Sequence, residues 1–365
     1  MERGRILVDL GKLRSPHVGL GEVSRRFADE LARQLSSGPG DLDVDYLVPP
    51  RFHNAFPMGI RTRPIGLHHV LLPVAGRYDV WHALHQDSSL RPVSARCRVV
   101  LTIHDLNFLY EKGRSWSRLR LQELQRKVER ATVVTTISHY TAGEIAEHLH
   151  LRGRVVEVVP NGVADLASSS ERPAFLPNAL PILFTVAHLT RKKNVHVLLD
   201  LAPRLTEYVF VIAGNKESPY GRHLEARIRQ ERIGNVFLPG EVTEDEKGWL
   251  HRHAAAFLFP SLLEGFGLPV VEALSCGRPV FVSRATALPE VVGDAGFFFD
   301  SFEPEAMERT LRGGLEAYHA DPEGHAARAR ATAARFRWDE NVRRYLELYR
   351  RLAGLSIPIA RTGEA

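Results

Sequence analysis

Short runs of β-branched and apolar residues alternate along the whole chain with longer stretches of helical periodicity, the pattern of parallel βαβ units. In the first half the pattern predicts strands at Arg5–Leu10, Asp43–Val48, Asp79–Ala83, Arg98–Ile103, Thr132–Ile137 and Val155–Val159. In the second half it predicts them at Ile182–Ala187, Tyr208–Ala213, Val236–Leu238, Ala255–Phe259, Pro279–Val282 and Gly296–Phe299. The runs VVLTI, VFVIAG and FLFP are continuously apolar rather than alternating, as strands covered by helices on both faces require. Amphipathic stretches such as Val23–Leu35, Val195–Leu201 and Leu224–Gln230 supply the covering helices.

The two series are separated by Val163–Pro181, a stretch rich in Ser, Pro and Ala without periodicity of either kind. The expected class is therefore α/β, with two Rossmann-like domains: an N-terminal one over residues 1–163, a linker over 164–181, and a C-terminal one over 182–337. Val342, Tyr345, Leu346, Tyr349 and Leu352 recur at helical spacing after the last strand. With no further strand to feed, that helix, over about residues 338–355, is expected to pack back across the domain boundary. The tail Ile357–Ala365 is expected to fray.

Composition narrows the classes without choosing one. A chain of 365 residues with 44% hydrophobic and 25% charged residues suits two globular domains rather than a disordered segment. The 48 basic residues exceed the 43 acidic ones only slightly, which permits an anionic partner; no nucleic-acid signature accompanies it. Cys97 and Cys276 sit in unrelated contexts, so no disulfide framework is expected and a reducing compartment fits. The start MERGRILVDLG lacks the apolar run of a signal peptide, and the longest apolar runs are strand-sized. The expected location is cytoplasmic, with peripheral contact at the inner face of the membrane left open. That contact would fall on Arg114–Arg130, a basic stretch carrying Trp116, Leu119 and Leu121, for which an ordinary amphipathic helix packed on the sheet with a solvated Arg face is the simpler reading.

Candidate chemistry gathers where predicted strands end. Gly19 and Gly21 follow the first strand as a glycine loop opening onto a helix, where free amides and the positive dipole end attract an anion. The third glycine of a dinucleotide fingerprint is missing, since Ser24 stands there. In the second half, Arg191, Lys192 and Lys193 are three adjacent cations after a strand, able to hold phosphate groups.

The most informative stretch is PSLLEGFGLPVVEALSCGRPV. Pro260 ends a strand, Gly265 and Gly267 make a loop, Pro269 suits a first helical turn, and Gly277 sits where a helix ends. The implied helix of about eight residues, roughly 12 Å long, aims its start at an anion. The amides of Gly265, Phe266 and Gly267 are available there. Glu264 and Glu272 flank this helix end, and carboxylates grip diols well. After the next strand come Ser283, Thr286 and Glu290, for which helix capping is the simpler reading. No His or Cys pair has convincing ligand spacing, so no metal is expected; His251 and His253 lie two apart.

These motifs resemble glycosyltransferase family 4, the retaining GT-B transferases whose two Rossmann-like domains face each other across a cleft. Glu264-Gly-Phe-Gly-Leu-Pro-Val-Val-Glu272 resembles that family's Glu-x7-Glu motif, extended by Cys276–Val280 and Leu288–Val291. Ala187–Asn194 resembles its basic loop, Val158–Val163 its linker entry, Gly19 and Gly21 its first glycine loop, and His104-Asp105 its His-containing loop. Two positions depart from the pattern: Ala187 and His188 stand for a glycine and its follower, and Arg191 stands for a proline.

The resemblance implies a hexosyltransferase using a nucleotide-diphosphate sugar, GDP- or UDP-linked, without a metal or other cofactor. It implies Lys193 on the diphosphate beside Lys192, Glu264 by the transferred sugar, the amides of Gly265 to Leu268 on sugar or phosphate, Glu272 on the ribose, His104 beside sugar and acceptor, and Gly19 and Gly21 near the diphosphate or acceptor. It implies mannose from GDP-mannose passed to a glycan or lipid-linked acceptor in bacterial surface polysaccharide or lipopolysaccharide synthesis. Another nucleotide sugar with a different acceptor, or a non-enzymatic carbohydrate-binding relic, are the alternatives. A sugar-nucleotide 2-epimerase would lack the paired glutamates.

Overall fold

The structure is a computed structural model that describes residues 3–14, 19–53, 55–56, 60–66, 78–88, 96–111, 113–163, 166, 171–176 and 180–356. The tail Ile357–Ala365, residues 164–165, 167–170 and 177–179 of the Ser/Pro-rich stretch and residues 15–18 before the first glycine lie outside them. The chain forms two compact units, Met1–Gly162 with Arg337–Ala365, and Val163–Phe336.

In the first unit, β1 (Gly4–Asp9), β2 (Leu42–Val48), β3 (Arg61–Pro64), β4 (Val80–Ala83), β5 (Arg98–Ile103), β6 (Val133–Thr136) and β7 (Val156–Val158) form one parallel sheet. Their order is β3-β2-β1-β4-β5-β6-β7. The pattern of apolar residues does not predict β3, because its sequence RTRP has no apolar run. This edge strand is held by its backbone register on β2 and by charge. Arg61 and Arg63 each donate an Nε–H to Asp45, at 2.9 and 2.8 Å, and Asp45 is buried on β2. Burial raises the Asp45 carboxyl, but the Tyr78 hydroxyl and the two guanidinium groups outweigh it and hold the acid below its usual range.

In the second unit, β8 (Ile182–Val186), β9 (Val209–Ala213), β10 (Val236–Gly240), β11 (Ala256–Phe259), β12 (Val280–Ser283) and β13 (Phe297–Phe299) are also parallel, ordered β10-β9-β8-β11-β12-β13. In each sheet the strand order reverses direction once, between β1 and β4 and between β8 and β11. Ligands of doubly wound sheets bind outside the carboxyl ends of the strands at such a point.

The helices used below are α1 (Gly19–Ser37), α2 (Arg114–Arg130), α3 (Glu244–His253), α4 (Leu268–Ser275) and α5 (Trp338–Ala353). Phe27, Ala28 and Leu31 of α1 are buried in one cluster with Val342, Tyr345, Leu346 and Tyr349 of α5. The C-terminal helix therefore belongs to the core of the first unit. Its hydroxyls also enter a buried polar network: Tyr349 Oη lies 2.6 Å from His82 Nδ1, and His82 Nε2 lies 2.8 Å from Thr102 Oγ1. Tyr345 Oη reaches Thr102 and Thr135 at 3.2 and 3.1 Å. At the start of α5 the chain passes so close to Gly162 that a Cβ there would lie 2.3 Å from the Trp338 amide nitrogen. Among the described residues, no helix is long and apolar enough to cross a membrane.

Candidate active site

The basic loop and the glutamate loop leave adjacent strands. Residues 187–194 follow β8 and residues 260–267 follow β11, and these two strands pair across the reversal of the second sheet. Their backbones are tied together: the Lys192 carbonyl accepts from the Leu262 amide at 2.8 Å and from the Ser261 hydroxyl at 3.3 Å. Arg191–Lys193 form one 3-10 turn that ends on Asn194 in the left-handed region, φ 56°. Arg191 is exposed and Lys192 half-buried. The Lys193 Nζ turns inward, 2.5 Å from Glu264 Oε1 and 5.4 Å from the centre of the Phe259 ring.

Glu264 is fixed from both sides. Its carboxylate pairs with Lys193, and its amide donates to the Thr286 hydroxyl at 2.9 Å. Thr286 adopts φ 55°, and the next helix starts on Ala287 without a side-chain cap. Capping, the simpler reading of Thr286, is thus replaced by a tie to the glutamate loop.

The helix after that loop has the predicted shape. Eight residues, Leu268–Ser275, form α4, with Pro269 in the first turn and Val270, Val271, Ala273 and Leu274 buried. Gly267 precedes it at φ 105°, and no side chain caps its start. The Phe266 ring is buried edge-on against Phe336, 5.1 Å between centres, so this residue offers the loop only its backbone amide. At the other end the Gly277 amide bonds to the Leu274 carbonyl and the Arg278 amide to that of Ala273, a Schellman stop with Gly277 at φ 71°.

Glu272 has partners of its own. Its Oε1 accepts from Lys247 Nζ at 3.1 Å, and its Oε2 lies 3.5 Å from Nε2 of His251, both on α3. Burial alone raises the Glu272 acid, but His251 and Lys247 together outweigh it and keep the group below its usual range. Lys247 also pairs with Glu244 at 3.1 Å, and the start of α3 is fixed by a capping box between Thr243 and Glu246. Neither Lys247 nor His251 stands out in the sequence as a partner of Glu272. The only trace is their spacing of four, which puts both on one face of a helix.

In the first unit, the expected glycine loop is a helix. Gly19 and Gly21 lie in the first turn of α1 rather than before it, because the described helix already starts at Gly19. His104 follows β5 and is buried. Its amide donates to Gln86 Oε1 at 3.0 Å, and its Nε2 donates to the Leu84 carbonyl at 2.9 Å. Since a carbonyl only accepts, Nδ1 carries the lone pair, and this buried atom has no partner among the described residues. The ring stacks on His85, 5.1 Å away, and burial pushes its pKa down to about 4, so the imidazole is neutral. His104, Gly19 and Gly21 thus belong to one unit, and Arg191–Lys193, Glu264–Leu268 and Glu272 to the other.

One carboxylate–histidine cluster escapes sequence reasoning: Glu144, Glu147 and His148 have ligand atoms within 4.8 Å of one another. Glu144 already accepts from the Tyr110 hydroxyl at 2.7 Å.

Two parallel doubly wound sheets, with a basic loop and an uncapped helix start at the reversal of the second, define the GT-B architecture. Solved structures share it. Sucrose-phosphate synthase from Thermosynechococcus elongatus has a TM-score of 0.74 at 18% identity, covering 97% of this chain and 100% of that one. Anabaena HepE in complex with UDP-glucose has a TM-score of 0.71 at 17% identity, covering 94% and 99%. Residues 169–352 match the family model described as glycosyl transferases group 1, and residues 19–165 match that of glycosyltransferase family 4. The chain belongs to the group 1, family 4 glycosyltransferases, and is a transferase enzyme.

Among curated relatives, O-antigen chain mannosyltransferase B of Escherichia coli is 29% identical over 278 residues, 70% of this chain and 71% of that protein. A serotype-specific mannosyltransferase of Escherichia coli, WbdA, is 28% identical over 294 residues. The chain covers 73% of itself in that match but only 36% of the relative.

Proposed function

We propose that the chain moves a hexose from a nucleotide-diphosphate sugar to a glycan or lipid-linked acceptor in bacterial surface polysaccharide synthesis, keeping the anomeric configuration. Mannose from GDP-mannose is the first donor to test, in line with relatives described as mannosyltransferases. The observation that carries the reading is the juxtaposition of Lys193, Glu264 and the uncapped start of α4 at the strand reversal. A diphosphate placed there meets backbone amides, a helix dipole and the three cations Arg191, Lys192 and Lys193.

In this mechanism the bond between the anomeric carbon and the phosphate oxygen breaks first, and its electron pair stays on the departing diphosphate. The acceptor hydroxyl then bonds to the anomeric carbon from the same face and gives its proton to that phosphate oxygen. Lys193 and the α4 amides stabilise the charge that develops, so no divalent ion is required. Glu264 faces the transferred sugar and Glu272 the ribose; in the first unit, the His104 Nδ1 is the group to accept from a hydroxyl of the acceptor.

A UDP-sugar is the second reading, favoured by the structural likeness to HepE in complex with UDP-glucose. A thermal-shift panel of GDP, UDP and ADP with their sugars separates the two, since a ligand that binds the native state raises the melting temperature. The expected result is the largest shift with GDP and GDP-mannose. A panel in which no nucleotide shifts the transition removes the reading.

A peripheral membrane contact belongs to the same reading. Of the cations of α2, Arg120 and Lys127 turn inward to Asp87 and to the Gln86 carbonyl, whereas Arg118, Arg126 and Arg130 stay exposed. Leu119 and Trp116 are exposed beside them, at 66% and 37%. Exposed apolar groups among cations suit an anionic lipid surface carrying a lipid-linked acceptor.

A further inference from the structure

Glu272 is held by α3 in a way that leaves part of it unused. Lys247 and His251, one helical turn apart, approach one carboxylate oxygen each, and all three side chains are nearly inaccessible, at 13%, 0% and 15% exposure for Lys247, His251 and Glu272. A carboxylate offers about four lone-pair positions. Lys247 takes one and His251 stands at a second, which leaves about two, the number a vicinal diol needs. An arginine in place of Lys247 would occupy both oxygens with its fork, whereas an ammonium is a single point of charge. The His251 Nε2 stands 3.5 Å from Glu272 Oε2, and the ring is wedged against Phe184 and Phe257, each 5.0 Å away between ring centres. It closes that side of the carboxylate while helping to keep it charged.

We propose that Lys247 is a positioning residue for nucleoside recognition, with His251 as its backstop. Together they hold the Glu272 carboxylate in one orientation, so that it accepts from both hydroxyls of a ribose and selects ribonucleoside over 2′-deoxyribonucleoside diphosphates. The inference rests on the reading that Glu272 takes the ribose. It adds that the selectivity is built by α3, a helix that contributes no residue to the Glu-x7-Glu motif.

The test measures dissociation constants of the full-length protein for GDP, 2′-deoxy-GDP, UDP and 2′-deoxy-UDP by calorimetry, with donor kinetics alongside. The wild-type protein is expected to prefer the ribonucleotide by about 10- to 100-fold, the scale of a hydrogen bond to a charged group. Glu272→Gln should bring the ratio close to one. Lys247→Met should lower the ratio about tenfold and raise the donor KM, with kcat within about twofold of wild type. The double variant should match Glu272→Gln alone, because Lys247 acts only through that carboxylate.

Lys247→Gln keeps a donor of similar reach without the charge, and serves if the Met variant does not fold; its ratio should lie between those of wild type and Glu272→Gln. A wild-type ratio in the Lys247 variants, with Glu272→Gln losing discrimination, overturns the inference and leaves the ribose reading standing. Unchanged discrimination in Glu272→Gln removes the ribose reading, and the inference with it.

Discussion

Lys193 Nζ lies 2.5 Å from Glu264 Oε1, and only 15% and 11% of the two side chains remain exposed. In the free protein each neutralises the other. On the proposed reading, a diphosphate competes with Glu264 for the ammonium and leaves the carboxylate able to face the sugar. Lys193→Ala should therefore lower kcat by about 10²–10³, on the scale of removing one preorganised donor to a developing anion. It should also leave Glu264 without its cation. Steady-state kinetics with GDP-mannose check this, and near wild-type turnover would take Lys193 out of the mechanism.

Two glycines, one in each unit, carry opposite expectations. Gly267 sits at φ 105°, and a Cβ there would meet Leu288 Cδ2 at 2.8 Å. Gly267→Ala should cost about 1–3 kcal/mol of stability through strain at that position. Gly19 stands at the start of α1 with no atom within 4 Å of a would-be Cβ. Gly19→Ala should leave stability unchanged or raise it by up to about 1 kcal/mol, since alanine is the better helix former. Its kcat/KM should nevertheless fall on the proposed reading, in which a ligand approaches that face. Urea midpoints and kinetics measured together distinguish packing from ligand contact; an intact kcat/KM in Gly19→Ala removes Gly19 from the site.

Burial pushes the pKa of His82 down to about 3 and that of His104 down to about 4. In the unfolded chain both titrate near 6.5. Between those values the unfolded state binds more protons than the native one, so stability rises with pH over this window. It should be fully present above about pH 6.5 and fall progressively as the pH drops toward 4. Chemical-denaturation midpoints at pH 7, 6 and 5 should decline, with a shallower slope in His104→Asn, which does not titrate. An unaltered slope in that variant would show that His104 is not buried neutral.

The exposed face of α2 gives a separate expectation. Sedimentation with liposomes containing phosphatidylglycerol should pellet the protein at low salt and release it at high salt. Replacing Arg118 and Arg126 by Glu should abolish pelleting without changing the melting temperature, because both side chains are exposed. Binding that survives the double substitution would point to another surface.

Much of this architecture is written locally in the chain. Every strand with an apolar run was legible, as was α4, because Pro269 opens it, Gly277 stops it, and Val270, Val271, Ala273 and Leu274 mark its buried side. The edge strand β3 was not legible. Its residues are charged, and it exists because Asp45 on the neighbouring strand binds Arg61 and Arg63. The sequence predicts a loop where the first turn of α1 lies, since two glycines in three residues argue locally against a helix.

The amino-acid order determined which side chains are available: the run of cations at 191–193, the two glutamates eight positions apart, and the glycine turn between them. Only the tertiary structure decided who meets whom. Lys193 reaches Glu264 across 71 positions because β8 and β11 are neighbours in the sheet, and Glu272 meets Lys247 because α3 packs on α4. Periodicity and turn chemistry act over a few residues, whereas strand order is set by how whole layers bury their apolar faces.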